Sequence, residues 1–417
     1  MQVNKWCIVS VLLTVTGCKS VEELIGDSNI YYDDAVYLSP LPEQGSIDTG
    51  YPQVYSQEDL EQNRNAIPDF DTLVLEPMEV NRSETALFPQ WMNFELDKSN
   101  PLIGYGSDFF QTVHAVEPSI YDADTLEFVW GPYDNDYTQL EGDQLVLYIR
   151  YSETNNFAYQ YAVLLLDSNN VSSLTPVIWG GSNPDPDNAR FANGVLVIDF
   201  TAAEQFTETY YQESTGTHGR FSVLYSFTES EDIDAGLTLV ASKFRNYVSP
   251  SNEVPFSGTN IHGDIFRDEN VINFARFTGE SDVHTHDGCS FDCADSELES
   301  WSFDMVYRGS GQGRGEAKIN GGDAVAPYGS GDSYITKEEC WNDDFKREYL
   351  QVTQGGDSIL NVLESYGESH SCSFLSTSIS QLSLPNEEDI QGPGGSVLAS
   401  LLEGGLGDRH SLQTQLE

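Results

Sequence analysis

The residues best placed to do chemistry in this chain are cysteines, histidines and carboxylates. His284-x-His286-x2-Cys289-x3-Cys293 brings two imidazoles and two thiols together, with Asp282 and Asp287 beside them. Two histidines one residue apart on a strand point the same way, so zinc ligation is one reading of the cluster. The spacing matches no established zinc module. In an oxidising compartment the four body cysteines, Cys289, Cys293, Cys340 and Cys372, would instead form two disulfides. Three pairings exist, and Cys289–Cys293 with Cys340–Cys372 is favoured because each closes a loop within one segment. No metal is therefore expected, with His284 and His286 as the candidates if one binds. Acidic turns at Asp134-Asn135-Asp136 and Asp185-Pro186-Asp187 lack the glycine and terminal glutamate of an EF-hand. The chain has no Gly-x-Ser-x-Gly elbow and no phosphate-binding glycine loop, so no catalytic residue and no cofactor are assigned. One charged set stands out: Asp304, Arg308, Arg314, Glu316 and Lys318. It reads as a solvated face with cross-strand ion pairs, the alternative being a carboxylate pair for hydrolysis.

Charge narrows the partners. With 67 Asp and Glu against 19 Lys and Arg among 417 residues, the formal net charge is −48. That leaves no sizeable phosphate-neutralising surface, which excludes nucleic-acid binding, and no basic patch for docking on anionic lipid. Aromatic residues make up 12% of the chain, too many for a wholly disordered protein. Past the N-terminus the longest apolar run, Tyr161 to Leu166, is too short to span a bilayer.

The N-terminus gives an address. One charge (Lys5) precedes an apolar stretch from Trp6 to Val15, which ends in Val15-Thr16-Gly17-Cys18. Ten residues is the length of a signal peptide's apolar region, not of a membrane span. The run resembles the lipobox of bacterial lipoproteins, which implies cleavage after residue 17, lipidation of Cys18 and attachment by several acyl chains. Lys19 after the cysteine implies, by the same resemblance, the outer membrane of the cell envelope, facing either the periplasm or the surface. The lipid anchor is then the only membrane contact. Residues 18–69 carry few apolar residues in any sustained period. From Lys19 to Phe70 there are eleven acidic and two basic residues, with prolines at 40, 42, 52 and 68. This is expected to be a flexible tether reaching about 40 Å.

Residues 70–382 are expected to form the body, with 325–382 as a possible disulfide-stapled extension and 383–417 as a flexible tail. The dominant period is two: Leu145, Leu147, Ile149 and Tyr151, then Phe157 through Leu165, then Val195 to Phe200, Phe221 to Phe227 and Leu237 to Val248. Short polar turns separate these runs. The fold class is therefore mainly β, an antiparallel meander forming a barrel-like or stacked-sheet body. In one hairpin Trp301, Phe303, Met305 and Tyr307 share a face with Gly313, Gly315, Ala317 and Ile319, which demands an odd-numbered loop. Bulky residues over small ones suit tight curvature or close approach of another layer. Thr201-x-x-Glu204 has capping-box spacing and predicts one or two helical turns through Phe206. Residues 336–350 read as either helix or strand.

Trp130-Gly131-Pro132, Gly313-Arg314-Gly315-Glu316, Gly321-Gly322-Asp323 and Glu339-Cys340-Trp341 with Phe345 are similar to a group of uncharacterised bacterial lipoproteins, over residues 126–372 at most. That resemblance implies an envelope lipoprotein and transfers no site. Two functions follow. The first is a tethered binding or structural β-module whose partner is a carbohydrate, an apolar ligand or a protein. The second is an exported hydrolase, with polysaccharide as the candidate substrate, using carboxylates such as Asp304 and Glu316.

Overall fold

The computed structural model describes residues 85–92, 118–122, 127–135, 140, 142–151, 158–184, 192–227, 237–249, 258–268, 273–281, 299–308, 311–320, 334–356 and 359–368. Fifteen strands follow one another in a single antiparallel order: β1 (Ile120–Asp122), β2 (Glu127–Asp134), β3 (Asp143–Tyr151), β4 (Tyr159–Asp167), β5 (Asn170–Pro184), β6 (Ala192–Asp199), β7 (His218–Phe227), β8 (Leu237–Ser249), β9 (Gly258–Asp268), β10 (Asn273–Ser281), β11 (Glu299–Tyr307), β12 (Gly313–Asn320), β13 (Tyr334–Trp341), β14 (Arg347–Gly356) and β15 (Ile359–Gly367). This is the mainly-β meander that the period and the short turns require. Among the described residues no ladder joins β1 to β15, so the sheet is not closed into a barrel. The expected signal peptide, tether and tail, and the 282–298 His/Cys segment, lie outside the described residues.

The chain forms two compact units. In the first, β2 to β7 bury both faces. Val129, Val146, Tyr148, Ala162, Leu164, Leu166, Leu174, Trp179, Val195 and Val197 make one cluster. On the opposite face the register sets Leu147, Val163, Ile178, Ile198 and Phe221 in one row. β4 is buried almost throughout, which explains its uninterrupted run from Tyr161 to Leu166. Directly opposite Tyr161 sits Gly180. The phenol crosses it to donate to the Val195 carbonyl at 2.8 Å, and any β-carbon at Gly180 would overlap both groups.

A helix, α1 (Phe200–Tyr211), packs on β5 and β7. It corrects the sequence expectation in both start and length. Asp199, not Thr201, caps it, its Oδ1 accepting from the Ala202 amide at 2.9 Å. The Thr201 hydroxyl instead accepts from the Gly219 amide at 2.8 Å. The helix runs three turns and ends where Gln212 adopts φ 57°.

The second unit holds β9 to β15 and a segment remote in sequence, residues 85–92, of which 87–92 are helical. The β11–β12 hairpin has the anticipated shared face, with Trp301 opposite Ile319, Phe303 opposite Ala317, Met305 opposite Gly315 and Tyr307 opposite Gly313. Five residues separate Tyr307 from Gly313, an odd number, and within that connection the Gly311 amide donates to the Arg308 carbonyl at 2.9 Å. Residues 336–350 resolve as strand, turn and strand, β13 turning into β14 through 342–346 with Phe345 at φ 57°. Strict alternation fails in β8: Asn246 at φ 49° lets Phe244 and Tyr247, three residues apart, meet with ring centroids 5.5 Å apart.

Candidate functional site

The outer face of the second unit carries the charged set singled out in the sequence. Cross-strand register aligns Arg276, Asp304, Glu316, Glu338 and Gln351 as one row across β10 to β14. Neighbours in such a row lie about 5 Å apart at the backbone. Arg276 Nε meets Asp304 Oδ1 at 2.6 Å, the expected kind of cross-strand ion pair, although the sequence did not identify this partner. Partial burial against the sheet pushes the Glu316 carboxyl above its ordinary range. The Glu338 and Asp304 carboxylates add to that push, while Arg314 and Lys318 oppose it. Glu316 and Glu338 are exposed. One step along the strands, Ser302, Lys318, Thr336 and Thr353 form a second polar row. The Lys318 ammonium lies 4.5 Å from the centre of the Tyr334 ring. The face can offer alternating hydroxyl, amide and carboxylate groups to a polar ligand.

The inner face holds a different arrangement, unanticipated from sequence. Glu339 is 1% exposed on β13 and Arg347 8% exposed on β14. Arg347 Nε donates to Glu339 Oε1 at 2.6 Å. Glu339 Oε2 accepts from the Leu87 and Phe88 amides at 2.7 and 3.1 Å. A helix starts with orphaned N–H groups, and here the carboxylate takes two of them while Pro89 has none to satisfy. Burial pushes the Glu339 carboxyl up; the Arg347 guanidinium and the two amides counteract it without cancelling it. Thr85 bridges Lys346, and the Ala86 amide donates to the Phe345 carbonyl at 2.8 Å. Phe88 lies over Gly315 and stacks on Phe303 and Trp341 at 5.2 and 6.4 Å; Trp91 meets Phe303 at 4.5 Å. The small residues of β12 thus serve close approach of another layer. The signal that sequence reading could have used is Lys337 and Glu339 standing in phase with Ile335 and Trp341.

A third carboxylate, Glu204 on α1, is also structural. It accepts from the Ser214 and Thr215 hydroxyls, from the Thr215 amide at 2.8 Å and from the Gly216 amide at 3.0 Å. Burial alone would raise its pKa, but these four donors outweigh it and hold the carboxyl below its ordinary range. It therefore closes the 212–217 loop rather than the helix start.

Of the other sequence candidates, Asp134 accepts from Gln144 at 3.0 Å, and Asn135 donates to Asp143 at 2.9 Å. Among the described residues no three His, Cys, Asp or Glu side chains form a metal site. Cys340 is buried at 1% exposure, opposite Arg314 and Tyr349. Cys18, His284, His286, Cys289, Cys293 and Cys372 lie outside the described residues, as do Asp136, Asp185 and Asp187. Fold and residues together define a mainly-β antiparallel meander protein with a polar outer face. Compared with family models, with curated proteins and with solved structures, the chain matches none.

Proposed function

We propose that this chain is a lipid-anchored cell-envelope protein, held through Cys18 at the outer membrane, whose β body is a binding or structural module. The observation that carries the module reading is how the carboxylates are used. Glu204 and Glu339, the two most sheltered acids considered above, are filled by hydrogen bonds from the protein itself. The polar groups of the second unit's outer face are spread in rows along the sheet, as a surface that docks a carbohydrate or a protein requires. Val15-Thr16-Gly17-Cys18 supports the anchor. A disulfide between Cys340 and Cys372 belongs to this reading, and the burial of Cys340 supports it.

Cys18→Ser tests the anchor. The variant should leave the membrane fraction and lose labelling by a fatty-acid analogue; unchanged labelling and sedimentation refute it. Hydrolysis remains the second reading because Glu316, with its raised pKa, stands directly opposite Asp304. Release of reducing ends from a polysaccharide panel, abolished by Glu316→Gln, would establish that reading over the module.

A further inference from the structure

The 85–92 segment sits in the second unit as a bound peptide would. It adds a strand bridge at Thr85–Lys346, presents the first amides of a helical turn to Glu339, and inserts Phe88 and Trp91 as anchors against Phe303 and Trp341. These are the components of intermolecular peptide recognition, strand pairing and aromatic anchoring, combined on eight residues. No short loop enforces the docking: Leu87 and Glu339 are 252 residues apart, and β1 to β12 intervene in the chain. The groove would meet an identical segment on any second copy, and exchange of identical elements is a low-cost route to association.

We propose that this groove, lined by Phe303, Gly315, Glu339, Trp341 and Arg347, takes the 85–92 segment of a second copy of this chain. Each copy then supplies a segment and receives one. Because each chain carries a net charge of −48, the exchanged form assembles at moderate rather than low ionic strength.

Complementation between two full-length variants tests this. Phe88→Ala/Trp91→Ala disables the segment and leaves the groove intact. Gly315→Val blocks the groove, since a β-carbon there overlaps the Phe88 ring, and leaves the segment intact. Each alone should be monomeric by light scattering, and the mixture should form a one-to-one heterodimer. A synthetic peptide of residues 85–92 provides the second measurement. It should bind the Phe88→Ala/Trp91→Ala variant, and adding Glu339→Gln should weaken that binding at least tenfold. A folded Phe88→Ala/Trp91→Ala variant that neither binds the peptide nor pairs with the Gly315→Val chain overturns the proposal. Failure of that variant to fold overturns it as well, because the segment is then an inseparable part of the core.

Discussion

Replacing Glu339 by alanine should be among the most damaging single changes in the second unit. The substitution strips Arg347 of its carboxylate and leaves the Leu87 and Phe88 amides without an acceptor. Breaking a buried ion pair by removing one partner costs about 3–5 kcal/mol. Each orphaned amide adds about 1–3 kcal/mol if the segment stays in place. The segment has another option, which is to leave, exposing Phe88, Trp91 and Met92 at roughly 1.5–3 kcal/mol each. The loss therefore saturates near the cost of undocking, about 5–8 kcal/mol, comparable with the whole stability of a typical domain. The double variant Glu339→Leu/Arg347→Met isolates the charge contribution. It removes both ions and keeps the two orphaned amides, so its loss should be smaller, about 2–4 kcal/mol. Urea titration followed by tryptophan fluorescence, with Trp91 and Trp341 beside the site, gives the midpoint and slope for each variant. An alanine variant within about 1 kcal/mol of the parent would refute the reasoning, as would a double variant less stable than the single one.

Gly180→Ala forces a methyl between the Val195 carbonyl and the Tyr161 ring and should destabilise the first unit by about 1–3 kcal/mol, measured by urea titration; Tyr161→Phe should lose only about 1 kcal/mol by the same assay. Glu204 has a depressed pKa in the folded chain, so its contribution is fully present above the unfolded carboxylate pKa and is lost as pH falls through the folded one. Wild type should thus lose more stability on acidification than Glu204→Gln, and parallel stability–pH curves would count against the four-donor account. The proposed Cys340–Cys372 bond closes a loop of about thirty residues, worth roughly 3–4 kcal/mol of unfolded-state entropy. Thiol titration under denaturing, nonreducing conditions should find no free thiol in the mature body, with the linked peptide recovered by mapping. Two or more free thiols with stoichiometric zinc would restore the His284/His286 metal reading.

Local pattern determined the strands and their order. Period-two hydrophobicity and short polar turns leave successive strands nothing to pair with but one another, so the meander was legible. The same parity argument set the shared face of the β11–β12 hairpin and its odd loop, while the pairing of Phe303 with Ala317 came from the folded chain. Helix α1 was legible as a helix, but not in its start, because Asp199 and Thr201 are both competent caps and only Gly219 and Arg220 on β7 decide between them. Tertiary structure alone decided what the charges do. Arg276 meets Asp304 because of the β10–β11 register, 28 residues apart in sequence. Glu339 stood in a segment ambiguous between helix and strand, and a buried carboxylate is tolerated only when its donors are supplied. Those donors are Arg347 across a hairpin and two amides 251 and 252 residues away, in a segment with no periodicity of its own. Alternation along a strand says which way a side chain points; only the folded chain says what waits there to meet it.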